Sequence, residues 1–128
     1  MNIAYLCVLL AILLPYVWAM YAKLPYFRAG NYDNNNPRPL LEKLAGPYQR
    51  SNWAQQNAFE ALPGFIGGVA IASIAGVAQP TLDTLAVVFI LARVAHGICY
   101  IKDLATLRSI VWAIGLACVI ALLIAAIL

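Results

Sequence analysis

The chain has 128 residues, of which 64% are hydrophobic and only 10% charged, with a formal net charge of +3. A water-soluble domain of this length needs far more charged surface, so the composition excludes a soluble globular protein and points to an integral membrane one. The charges are bunched between Lys23 and Arg50 and between Lys102 and Arg108. That bunching makes the positive balance a signal of membrane orientation rather than of nucleic-acid binding.

The apolar runs have the length of membrane helices and lack the alternation of barrel strands. The first expected helix covers about residues 2–22, "IAYLCVLLAILLPYVWAMYA" from Ile3. A cleaved signal peptide is the competing reading, because Trp18-Ala19-Met20 resembles a weak cleavage region. The lack of Lys or Arg ahead of the apolar run favours a retained helix. Pro15 lies inside it, where neighbouring helices can satisfy the freed carbonyl.

A polar loop follows, with "NYDNNNPRP" at its centre. The second helix is expected over about 47–78, with Pro47 in its first turn. Its opening third, "PYQRSNWAQQNAFE", is polar and its remainder apolar, so one end stands at the membrane surface. Gly64 and Gly68 form a GxxxG, continued by Ala72 and Gly76, a spacing that lets helices approach closely. The third helix is expected over about 81–101, with Thr81 as N-cap and Asp83 in the first turn. The fourth covers about 105–128. The fold expected is therefore all-α: a single four-transmembrane-helix bundle over residues 1–128. Cys7, Cys99 and Cys118 fall inside spans with no metal-like spacing and read as small apolar filler.

Seven of the eight Lys and Arg residues flank the first and third connections. By the positive-inside rule, loops 23–46 and 102–104 are cytoplasmic and both termini lie on the other side.

The eighth cation, Arg93, interrupts an apolar run. Arg93, His96 and Tyr100 are spaced i, i+3 and i+7 and share one helix face. Arg50, Trp53, Asn57 and Glu60 repeat that spacing on the second helix. Arg93 and Glu60 each lie about 13–15 Å along their helices from the cytoplasmic flank, so antiparallel helices bring them to one depth. Either charge alone costs at least ~2.5 kcal/mol at the bilayer centre, and pairing Glu60 with Arg93 offsets that cost. Such a pair can simply lock two helices. The accumulation of Arg50, Asn57, Glu60, Arg93, His96, Tyr100, Arg108 and Ser109 in one half instead suggests a pocket for a polar, anionic ligand. One His and one Glu are too few for a metal site, and no Gly-rich phosphate loop or nucleophile elbow is present.

The motifs R-x6-N-x2-E from Arg50 to Glu60, ARVAH-x3-Y from Ala92 to Tyr100, and LRS at Leu107–Ser109 resemble the MAPEG family. These are the membrane-associated proteins of eicosanoid and glutathione metabolism, and the likeness is to their small bacterial branch. The resemblance implies a homotrimer in a bacterial inner membrane, with glutathione bound between neighbouring subunits near the cytosolic face. It implies glutathione contacts at Asn57, Glu60, Arg93, His96 and Tyr100. With one residue of slippage, it places the thiol-activating arginine at Arg108, followed by Ser109. Where catalytic members carry carboxylate-binding arginines, this chain has Trp53 and Gln56. Gln56 keeps a hydrogen-bond donor without the charge, and Arg38 and Arg50 are further candidates for the ligand's carboxylates.

The activity implied is glutathione transfer or peroxide reduction on a lipophilic substrate reached from the bilayer. The rival is a non-catalytic membrane protein, structural or complex-associated, that retains the fold.

Overall fold

A computed structural model describes residues 2–128, and every regular element in it is helical. The elements are α1 (Ile3–Ala29), α2 (Pro37–Glu42), α3 (Gly46–Ile74), α4 (Gln79–Ile101) and α5 (Ala105–Ile127). All but the short α2 are long and apolar enough to cross a bilayer, as expected of an integral membrane protein.

Helix ends differ from the expected ones wherever apolarity and helicity part company. α1 starts behind Asn2, whose side chain accepts from the Tyr5 N–H at 3.1 Å. It continues seven residues past Ala22, through Pro25 to a left-handed Gly30, because its extension has something to pack on. Ala22, Leu41 and Leu44 form a small cluster with Tyr26 and Tyr48, and the Tyr26 hydroxyl donates to Leu40 O at 2.7 Å. The connection expected as a loop over 23–46 is therefore partly helical. α2 opens on Pro37 after a tight turn in which the Asp33 carboxylate accepts from Asn36 Nδ2 and Asn35 N. Those bonds, the Asn36 side chain foremost, hold the Asp33 carboxyl below the usual carboxylate range.

α3 stops at Ile74, short of the expected 78. Gly76 takes a left-handed conformation (φ 80°), and Val77 N–H returns to Ala72 O at 3.0 Å. Gly76 is thus a helix terminator and not the last member of a packing stripe. α4 begins at Gln79 with Pro80 in its first turn, so Thr81 is inside the helix rather than its cap. Asp83 falls beyond the first turn and reaches across the bundle. Its carboxylate accepts from Ala4 N at 2.9 Å and from Gln79 Nε2 at 2.7 Å. One orphan N–H at the start of α1 is thereby satisfied by α4.

α3 and α4 form the central pair, and α1 and α5 each pack on both of them. Between helices in lipid there is little hydrophobic driving force, so close packing and hydrogen bonds must hold the bundle. Phe65 and Phe89 stack at 3.8 Å in its middle, among Cys7, Ala11, Val69, Ala72, Leu82, Ala86, Cys118 and Leu122. The three cysteines are buried and unpaired. Gly64 and Gly68 face Val119 and Leu122 of α5 within the same chain, so that stripe is occupied inside the protomer. Towards the other end, Trp18 packs with Ala54, Ala58, Tyr100 and Ile101. Ser51, fully buried, donates to Trp18 O at 2.7 Å.

The closest approach is at Gly97, where an added Cβ would collide with the Trp18 indole. Gly97→Ala should cost about 1–3 kcal/mol of stability, the usual range for overpacking. Trp18→Leu in the same chain should recover part of that loss. Thermal unfolding in detergent checks both; an unchanged Gly97→Ala midpoint would show that the contact does not set the α1–α4 distance.

Candidate functional site

Two stripes on α3 organise the polar half of the bundle. Asn57, Glu60, Ala61 and Gly64 repeat at i, i+3, i+4 and i+7, and so do Asn52, Gln55, Gln56 and Phe59. The five-residue offset turns the second stripe roughly 140° from the first around the helix. The stripes line different cavities.

The first stripe faces α4 and α5. One cavity, of about 380 Å³, is lined by Asn57, His96, Tyr100, Arg108, Ser109, Trp112 and Ala113. A second, of about 240 Å³, is lined by Asn57, Glu60 and Arg93 at its polar wall. Ala61, Phe89, Leu116 and Val119 are among its apolar walls. Asn57 and Trp112 border both, so the two make one groove, polar at the helix ends and apolar toward the bundle middle.

Within it, Arg93 is 5% exposed and must be given an acceptor. Its Nη2 donates to Asn57 Oδ1 at 2.7 Å, and Asn57 Nδ2 donates to Glu60 Oε2 at 3.3 Å. The expected direct pairing of Glu60 with Arg93 is therefore replaced by a relay: the two charges share a depth, but the Asn57 amide stands between them. An amide can accept from the cation and donate to the anion at once, which neither charged group can do. The Arg93 Nε is buried with no partner among the described residues.

His96 is 3% exposed and meets the Tyr100 ring edge-on at 5.1 Å. The Arg108 guanidinium lies over the Tyr100 ring at 4.4 Å, a cation–π contact that couples the first turn of α5 to the last turn of α4. Ser109 lines the same cavity, and its hydroxyl donates to Ala105 O at 3.2 Å within its own helix. It therefore offers lone pairs to the groove rather than a proton.

Seven of the candidates come together here: Asn57, Glu60, Arg93, His96, Tyr100, Arg108 and Ser109. The other three do not. Arg38 and Gln56 line a separate cavity of about 320 Å³ beneath α2, with Glu42, Asn52, Gln55 and Phe59. Arg50 turns away from the groove and donates through Nε and Nη2 to Ile101 O, at 3.2 and 3.1 Å. Trp53, one turn before Asn57 on the groove stripe, is exposed. Trp112 was not singled out from the sequence, although a tryptophan four residues after Arg108 shares its helix face. Asn52 and Gln55 were also missed; their i−4 and i−1 spacing from Gln56 was the available signal.

The MAPEG family model matches residues 3–128, essentially the whole chain. The chain belongs to the MAPEG family. No curated protein matches the sequence closely enough to lend it an individual activity. The polar motif positions that carried the resemblance to the MAPEG proteins are those the fold gathers around the groove, with Arg50 the exception.

The relay generates a test. A double-mutant cycle between Asn57 and Arg93, using Asn57→Leu and Arg93→Leu, should give a coupling of about 1–2 kcal/mol in thermal unfolding in detergent. The cycle between Glu60→Gln and Arg93→Leu should give clearly less. A Glu60 coupling as large as that of Asn57 would mean that Glu60 holds the cation directly and that the relay is wrong.

Proposed function

We propose that this MAPEG protein binds glutathione in the α3–α4–α5 groove and uses its thiol on a lipophilic substrate, by transfer or peroxide reduction. The observation that carries this reading is the placement of Arg108 at the groove mouth above Tyr100 and His96, with Asn57, Glu60 and Arg93 deeper along one wall. The donor set fits a zwitterionic tripeptide. Arg93 and His96 offer donors to carboxylates, Asn57 offers both a donor and an acceptor, and the exposed Glu60 carboxylate suits an ammonium group.

Bound glutathione would supply a thiol, the one nucleophile such a groove needs. The protein's part is electrostatic. Arg108 brings a guanidinium cation to the groove mouth, and a neighbouring cation favours the thiolate over the thiol. Tyr100 keeps that cation from swinging into water, and His96 braces the Tyr100 ring. The apolar stretch from Phe89 to Val119 suits a substrate that arrives through the bilayer rather than from water.

The two-cavity arrangement supports the homotrimer of this reading. Gln56 lies on the face of α3 turned away from the groove, beside Arg38 of α2, where they cannot serve it within one chain. A ring of identical subunits uses two different faces of each chain at every interface. Such a ring can set the Arg38 cavity of one copy against the groove of the next. The same reading places the protein in a bacterial inner membrane with loops 23–46 and 102–104 in the cytoplasm. A second reading is favoured by one observation. The Arg93–Asn57–Glu60 chain is satisfied in part without a ligand, as a non-catalytic helix lock would be.

Ultraviolet absorbance of bound glutathione thiolate separates the two. The native protein should show the thiolate band at saturating glutathione. Arg108→Ala should abolish it without loss of assembly, and Arg108→Lys should leave a partial band because the charge stays and the planar fork goes. No band in the native protein contradicts the enzymatic reading and favours the lock.

A further inference from the structure

We propose that Arg50 is a positioning residue for Arg108, acting through the Ile101 carbonyl and the turn between α4 and α5; its catalytic meaning rests on the reading of the groove as a thiol site.

Three observations converge on that turn. First, α4 closes with a tight pattern of returns. Lys102 N–H donates to Ile98 O, Asp103 N–H to Tyr100 O and Leu104 N–H to Cys99 O, at 3.0, 3.1 and 2.9 Å. The carbonyl left over at the helix end is that of Ile101, and the Arg50 fork takes it with two N–H groups. A cation at a helix C-terminus also suits the negative end of the helix dipole.

Second, the turn is only three residues long, and Asp103 holds a left-handed conformation (φ 60°) that side-chain-bearing residues rarely adopt. A strained residue at such a turn persists only when its surroundings hold it. Asp103 makes no side-chain hydrogen bond among the described residues, whereas the Ile101 carbonyl two residues before it is gripped from α3. The grip has a firm base, since the next residue, Ser51, is fully buried and bonded to the α1 backbone.

Third, the two sides of the turn carry the two halves of the stack. Tyr100 precedes Ile101 directly, and Arg108 lies in the first turn of α5 with its N–H bonded to Leu104 O at 2.9 Å. Arg108 and Tyr100 meet at 4.4 Å across this turn. Arg50 hydrogen-bonds to neither residue. It fixes the frame in which they meet.

The experiment reads Arg108 directly. Its side-chain Nε–Hε signal in nuclear magnetic resonance of the detergent-solubilised protein, identified by its loss in Arg108→Lys, is displaced by the ring current of Tyr100. Tyr100→Leu marks the unstacked position. In Arg50→Met, which keeps the stem and loses the donors, the signal should move toward that position. In Arg50→Lys, which keeps the charge without the fork, it should move part of the way. In the same samples the thiolate fraction of bound glutathione should fall about tenfold for Arg50→Met, with glutathione affinity little changed, as misplacement of a charge-stabilising group predicts.

An Arg108 signal unmoved in whichever of the two variants folds overturns the proposal. A moved signal with an unchanged thiolate fraction overturns its catalytic meaning. If the native protein forms no thiolate, the groove reading fails, and the resonance shift still decides whether Arg50 positions Arg108.

Discussion

A guanidinium inside a membrane bundle has to be supplied with an acceptor, and at Arg93 that requirement ties three helices together. Its acceptor comes from α3, through Asn57. Its aliphatic stem passes beside Gly115 of α5, where an added Cβ would sit 3.6 Å from Arg93 Cδ. Phe89, one helical turn before it, stacks on Phe65 of α3. Rotating any of these helices would leave the cation unpaired in an apolar setting, at a cost far above that of a lost van der Waals contact. The register of α3, α4 and α5 follows, and with it the groove that Asn57, His96, Tyr100 and Trp112 border.

The spans were legible in the sequence because their signal is composition over some twenty residues, and no tertiary detail can mask it. Their ends were less so. Hydropathy falls at Ala22 while the helix runs on to Ala29, because Tyr26 and Ala22 find partners in α2. Thr81 looked like a cap, yet Pro80 needs no N–H partner and lets α4 start earlier. Gly76 has the spacing of a packing residue, yet its left-handed conformation makes it a stop signal.

The candidate site divides along the same line. Periodicity placed Arg93, His96 and Tyr100 on one face and set Glu60 at the depth of Arg93, and the fold agrees with both. It could not tell that Asn57 would stand between the two charges. Nor could it tell that Arg50, in phase with Asn57 and Glu60 by spacing, would be drawn to the end of α4. Which polar group an arginine chooses depends on which carbonyl is left orphaned nearby, and that is a property of helix ends in three dimensions. Arg38 and Gln56 illustrate a further limit. One stripe of α3 and the other differ by five residues in sequence and lie on separate faces.

Whether the groove takes glutathione is tested most directly by isothermal titration calorimetry of glutathione into the detergent-purified protein. Saturable binding at no more than one molecule per protomer, much weakened in Asn57→Leu, is expected. Heat no different from dilution, or binding that Asn57→Leu leaves untouched, would contradict binding in the groove.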